Sequence, residues 1–193
     1  MKWTEERREG YLATIHGRDI VENVEIAAKK DGTILGLRIR GTANLGGYLQ
    51  AFTPVIETVL HIFIIPGAYR LAAFDCEITG VYTNTTPTDA YRGAGRPEAA
   101  YLIETTVNQL ARELGIDQAE IRRRNFIPKD AFPYTTTTTL AYDSGDYAKT
   151  LDLDRPSFQR QGDDAAVQGL LADLAAGRVD ALFVLDANPA AEL

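Results

Sequence analysis

The chain has 193 residues, 45% hydrophobic and 24% charged, which suits one ordinary globular domain or one and a fraction. Acidic residues outnumber basic ones, 27 to 20, and the resulting net charge of −7 argues against a general nucleic-acid binder, which needs a basic surface. With one cysteine, Cys76, and two histidines, His16 and His61, the chain offers neither an internal disulfide nor a zinc or iron–sulfur ligand set, so any metal must be held by other groups.

The lone cysteine suits a reducing cytoplasm. Residues 1–10 are charged and polar, unlike a signal peptide, and the most apolar stretch, residues 59–65, is far too short to span a membrane. The first part of the chain reads as strand-rich. Val24 and Ile26 alternate with Asn23 and Glu25, Lys29-Lys30-Asp31-Gly32 makes a turn, and Leu35, Leu37 and Ile39 alternate with Gly36, Arg38 and Arg40. That pattern predicts a half-buried β-hairpin with an Asp-Gly turn. Residues 53–65 fit a short helix or a strand equally well. Residues 74–83 read as another strand, with Cys76, Ile78 and Val81 inward.

The middle of the chain is helical. Pro97 suits a first helical position, and Ile103, Val107, Leu110 and Leu114 recur at helical spacing before Gly115 supplies the stop. A second helix follows, with Asp117 and Glu120 as a capping pair, Ile116 able to staple onto Ile121, and Arg122-Arg123-Arg124 at the end that favours cations. Five threonines, Thr135 to Thr139, read as extended chain. Beyond Asp154 the composition shifts to alanine and aspartate. There Val167, Leu170, Leu171 and Leu174 predict an amphipathic helix stopped by Gly177, and residues 179–185 a short buried strand.

The strongest chemical signal is Ala90-Tyr91-Arg92-Gly93-Ala94-Gly95-Arg96-Pro97-Glu98. Its glycines allow close backbone approach, and the first amides of the following helix lack internal partners, so the loop suits an anion, a phosphate or an oxo group. A glycine turn carrying surface arginines explains the same residues. The expected geometry is a tight turn at Arg92 to Gly95 facing a cavity. Elsewhere, His61 between Leu60 and Ile62 reads as a packed histidine, and Glu57 could move a proton but stands alone. Tyr134 and Tyr142 with Asp143-Ser144-Gly145-Asp146 read first as a turn.

Several separate motifs in the same order resemble the large subunit of aerobic-type carbon monoxide dehydrogenases and their xanthine dehydrogenase relatives, over residues 1–154. They are Lys2-Trp3-Thr4-Glu5-Glu6-Arg7-Arg8-Glu9, then Thr83 through Glu98, then Arg122-Arg123-Arg124-Asn125-Phe126-Ile127-Pro128, and finally Phe132-Pro133-Tyr134 with Tyr142-Asp143-Ser144-Gly145-Asp146-Tyr147. The resemblance implies an α+β fragment of the molybdenum-cofactor-binding domain, a β-hairpin and mixed sheet with packed helices. It implies a molybdenum held by a pterin, in its cytosine dinucleotide form, with FAD and [2Fe-2S] on a flavin-binding medium subunit and an iron–sulfur small subunit. The implied reaction is oxidative hydroxylation of an aldehyde, heterocycle or similar small molecule in the cytoplasm, with no nucleic acid or membrane as partner. Arg92, Gly93, Ala94 and Gly95 would bind the cofactor, and Tyr91 and Ala94 would line the substrate pocket.

Two departures from the family pattern qualify this. Copper-containing carbon monoxide oxidisers carry a cysteine where this chain has Gly93, and xanthine-type enzymes a phenylalanine where it has Ala94. The family's glutamate base lies in a glycine-rich segment that these 193 residues do not contain, so no residue here is assigned as catalytic, and a non-catalytic fragment or binding module is the alternative. Residues 170–189, especially Gly177-Arg178-Val179-Asp180-Ala181-Leu182-Phe183-Val184-Leu185 and Asn188-Pro189, are similar to a second family, the bis-pterin molybdopterin oxidoreductases. Residues 155–193 would then be a small α/β appendage, joined near Leu153 to Ser157 by a gene junction or a natural fusion.

Overall fold

The computed structural model describes residues 2–151. The chain divides into two units, Met1–Ala148 and Lys149–Leu193. The helix and strand expected in the tail lie outside the described residues.

After a short helix α1 (Arg7–Ala13), strands β1 (Ile20–Ala28) and β2 (Ile34–Gly46) form the expected hairpin. Val24 faces Ile39 and Ile26 faces Leu37 in antiparallel register, and the Gly32 amide donates to the Lys29 carbonyl at 2.9 Å to close the turn. The register shifts between Ala27 and Ala28. This puts Ile34 and Leu37 inside and turns Leu35 outward, against the simple alternation read from the sequence. Strand β3 (Ala73–Tyr82) joins β2 in parallel, so the sheet is mixed, in the order β1-β2-β3. Cys76, Ile78 and Val81 are half-buried as expected.

Residues 53–64, ambiguous in the sequence, are helical throughout. A turn of α2 (Thr53–Val55) passes into a π-helical turn (Ile56–Leu60) and then into α3 (His61–Ile64). π-Helical turns are rare and are frequently found at functional sites.

Helix α4 (Arg96–Leu114) buries the predicted face, Ile103, Val107 and Leu110, and adds Ala99, Leu102 and Ala111. These side chains pack with Ile34, Leu37, Ile39 and Tyr69 into one core, with Leu114 against its edge. The helix stops at Gly115, whose amide reaches back to the Ala111 and Arg112 carbonyls. Helix α5 (Gln118–Asn125) is capped by the Asp117 carboxylate, which accepts from the Ala119 and Glu120 amides. Its arginine run is tied to the protein rather than only solvated. Arg122 pairs with Glu104, Arg124 with Glu120, and Arg124 also donates to the Asp31 carbonyl. Of the threonine run, read as extended chain, Thr135 ends β4 (Tyr134–Thr135) and Thr136 to Thr139 form the turn before β5 (Ala141–Tyr142), closed by the Thr139 amide on the Thr136 carbonyl at 3.0 Å, with Thr138 donating to the Phe63 carbonyl at 2.7 Å. Tyr142 likewise donates to the Gly67 carbonyl, so it supports a loop.

Asn125 joins the hairpin to α5. Its buried side chain accepts from the Ile34 amide at 2.8 Å and donates to the Gly32 and Ile121 carbonyls, each at 2.8 Å. Asn125→Ala would strand these buried groups, and we expect a loss of about 3 kcal/mol of unfolding free energy in urea titration. A loss below about 1 kcal/mol would mean water replaces the amide, as an exposed hydrogen bond would allow.

Candidate functional site

The arginine–glycine segment forms the expected tight turn. Ala94 donates to the Tyr91 carbonyl at 2.8 Å, Arg96 to Gly93 at 3.1 Å and Ala99 to Gly95 at 3.1 Å, and the last of these starts α4. Gly93, Ala94 and Gly95 take φ of 101°, 44° and 84°. Such angles are easy for glycine and costly for alanine, so Ala94 holds a strained conformation.

The two glycines have reasons internal to the fold. A Cβ on Gly95 would stand 2.9 Å from the Ile56 carbonyl oxygen and 3.0 Å from the His61 nitrogen, and a Cβ on Gly93 would meet the Pro97 ring at 2.6 Å. The sequence suggested that the glycines make room for a ligand; here they make room for the π-helical turn and for Pro97. Two open cavities flank the turn. One, of about 570 Å³, is lined by Arg7, Tyr11, His16, Arg18 and Tyr91 among others. The second, of about 600 Å³, lies between β1 and α4 and is lined by Arg18, Glu22, Pro97, Glu98 and Tyr101 among others. Tyr91 thus faces a cavity, whereas Arg92, Gly93, Ala94 and Gly95, expected to face one, line neither of these two.

Arg92 is exposed, and among the described residues its guanidinium forms no ion pair. Gly95 sits at the N-cap of α4 and provides no side chain to cap it. The start of α4 offers few free amides, since the Arg96 amide is bonded to Gly93 and Pro97 has none, so the uncommitted Arg92 guanidinium is the group at the turn that favours an anion.

Beneath the turn lies a group of ionisable side chains. Glu57 and His61 are 1% and 0% exposed, and both come from the helical segment under Gly95. His61 Nε2 lies 2.8 Å from the Glu22 carboxylate. Burial opposes charge on His61, but the Glu22 carboxylate, with smaller contributions from the Gly95 backbone and Glu57, outweighs it and lifts the imidazole above its ordinary value. Burial, reinforced by the neighbouring Glu98 carboxylate, holds Glu57 above the usual carboxylate range. One oxygen of Glu57 accepts from the Arg18 amide at 3.2 Å, while the other, with one Glu98 oxygen and His61 Nδ1, forms no hydrogen bond. His61 and Glu57 were noticed in the sequence separately. Glu22 was readable as a carboxylate two residues before Val24 on the inward row of β1, whereas nothing local marks Arg18 or Glu98.

Cys76 is no substitute thiolate. Burial pushes its thiol up to about 12, and it sits in β3 opposite Ile39. No set of three His, Cys, Asp or Glu side chains among the described residues can hold a metal ion, and none of the described helices is long and apolar enough to cross a membrane.

The family model of the molybdopterin cofactor-binding domain matches residues 1–126. The carbon monoxide dehydrogenase large chain of Hydrogenophaga pseudoflava is 42% identical over 168 residues, covering 83% of this chain and 21% of its own length. The 6-hydroxypseudooxynicotine dehydrogenase complex subunit gamma of Paenarthrobacter nicotinovorans is 34% identical, covering 77% of this chain and 19% of its own. Quinoline 2-oxidoreductase from Pseudomonas putida 86 superposes with a TM-score of 0.74 at 30% identity, covering 86% of this chain and 22% of that one. The chain thus spans about a fifth of the length of these relatives.

The buried pair sets a pH dependence. Both Glu57 and His61 hold protons more tightly folded than unfolded. Their contribution is therefore complete below the unfolded values and lost as pH rises through the folded ones. From the ordinary values of 4.5 and 6.5, that loss falls on the neutral side of about pH 5. We expect the urea midpoint to drop between pH 5 and pH 8, and Glu57→Gln, which is neutral throughout, to reduce the drop. An equal drop in the variant would remove Glu57 from the account.

Proposed function

The chain belongs to the molybdopterin cofactor-binding domain family, and from that premise we propose that it is part of a molybdenum hydroxylase large subunit whose Arg92-to-Gly95 turn contacts the pterin cofactor. The observation that carries the reading is the exposed Arg92 guanidinium, which forms no ion pair among the described residues and stands at the turn that opens α4. This group fits the anionic part of a pterin dinucleotide. Arg92 would hold the cofactor by a charge-assisted hydrogen bond, while Gly93, Ala94 and Gly95 set the backbone against it. Tyr91, 62% exposed at the rim of a cavity, and Ala94 would border the substrate.

When bound, the cofactor supplies the oxidation chemistry, and the protein supplies position, polarity and exclusion of water. The parent reaction in this reading is oxidative hydroxylation of an aldehyde, heterocycle or similar small molecule. The cytosine dinucleotide form, a cytoplasmic location, and flavin and iron–sulfur partner subunits complete the proposal. We also propose that residues 1–154 form the cofactor-domain fragment and that residues 155–193 are a separate appendage.

Two outcomes follow for the parent enzyme. Arg92→Ala should lower molybdenum and pterin content, weakening retention by roughly 1.5–3 kcal/mol. A variant with full cofactor content would refute the contact. Copper is the second readout, because Gly93 has no thiolate and Cys76 stays protonated. We expect no stoichiometric copper in the purified complex by elemental analysis, and copper bound at the turn would overturn the assignment.

A further inference from the structure

We propose that Arg18 is the positioning residue of the turn, a clamp that fixes Tyr91 to Gly95 and so leaves Arg92 free for a ligand. No local sequence signal marks this residue, but the structure surrounds it with partners from three parts of the fold. Its backbone amide donates to the Glu57 carboxylate at 3.2 Å. Its guanidinium donates to the Arg92 carbonyl, lies 3.5 Å from the Glu98 carboxylate, and covers the Tyr91 ring at 4.5 Å from the ring centre. The link that carries Arg18 runs beside the loop segment, with His16 donating to the Pro87 carbonyl at 3.2 Å and Asp89 donating back at 2.7 Å.

The need for a clamp follows from the turn's composition. Two glycines and a strained alanine give residues 93–95 many alternatives in the absence of side-chain packing. The guanidinium fork serves the Arg92 carbonyl and the Glu98 carboxylate together while its face rests on Tyr91, a combination a lysine ammonium cannot reproduce. Arg18 itself takes φ of 63°, a cost that the surrounding contacts must offset. A division of labour results. Arg18 directs its charge at the protein, and Arg92, held among the described residues through its backbone carbonyl, presents its charge outward.

The bearing on cofactor binding rests on the reading above, but the clamp can be tested without any cofactor. In hydrogen–deuterium exchange of the full 193-residue chain, the Ala94 and Arg96 amides report on the turn through their bonds to Tyr91 and Gly93. Arg18→Gly removes the side chain and relieves the positive φ, so it is the variant suited to fold, and Arg18→Lys keeps the charge. We expect both amides to exchange at least about tenfold faster in Arg18→Gly, and by a smaller factor in Arg18→Lys, with the β2 amides unchanged. Unchanged Ala94 and Arg96 exchange in Arg18→Gly would overturn the clamp. So would acceleration of the turn and β2 together in both variants, since that reports a general loss of stability. Failure of the cofactor reading would appear elsewhere, as full molybdenum content in Arg92→Ala of the parent enzyme.

Discussion

The backbone of Ile56 and His61 comes so near to Gly95 that not even a methyl group fits between them. That close approach ties the start of α4 to the π-helical turn and decides which side chains lie between the two. Glu57 and His61, four residues apart on that helical segment, are both buried, and Glu22 reaches His61 from β1. A longer side chain at position 95 would have to push the helix start away from this group and would open it to water.

Burying such groups is costly unless they are paired or neutral. The structure uses both remedies. The Glu22 carboxylate beside His61 lifts the imidazole above its ordinary value, and burial with the neighbouring Glu98 carboxylate raises Glu57 above the usual carboxylate range. The sheet's other face shows how different the same residue types are in water. There Arg38 and Arg40 cross-link Glu25, Asp75 and Glu77 while remaining exposed, and such pairs contribute little each.

Much of the fold was legible because periodicity and punctuation agreed. The hairpin, the buried face of α4 and the Gly115 stop all followed from spacing and from residues with strong local preferences. Leu35 was misread because a register shift at Ala27 interrupts the alternation, and nothing in the local sequence announces it. Residues 53–64 were ambiguous because β-branched and apolar residues suit either element; tertiary contacts beneath Gly95 decide for the helix. The candidate site was legible only as a list. The turn and Glu57 and His61 could be named, but their convergence depends on contacts between residues about 35 to 75 apart, as from Glu57 to Arg18 and from Arg18 to Arg92.

The mixed sheet also imposes an order on assembly. β1 and β2 are neighbours joined by a short turn, so their pairing closes only a small loop. β3 pairs in parallel with β2, Gly36 against Ala73 and Gly46 against Tyr82, so partners about 36 residues apart must meet across the crossing between the two strands. The helical segment that carries Glu57 and His61 lies within that crossing. Its docking under Gly95 is therefore coupled to the slower, non-local step, while the hairpin can form early. The chain would reach a stage with its hairpin formed and its ionisable residues still in water, and only closure of the parallel pair would draw them out of solvent.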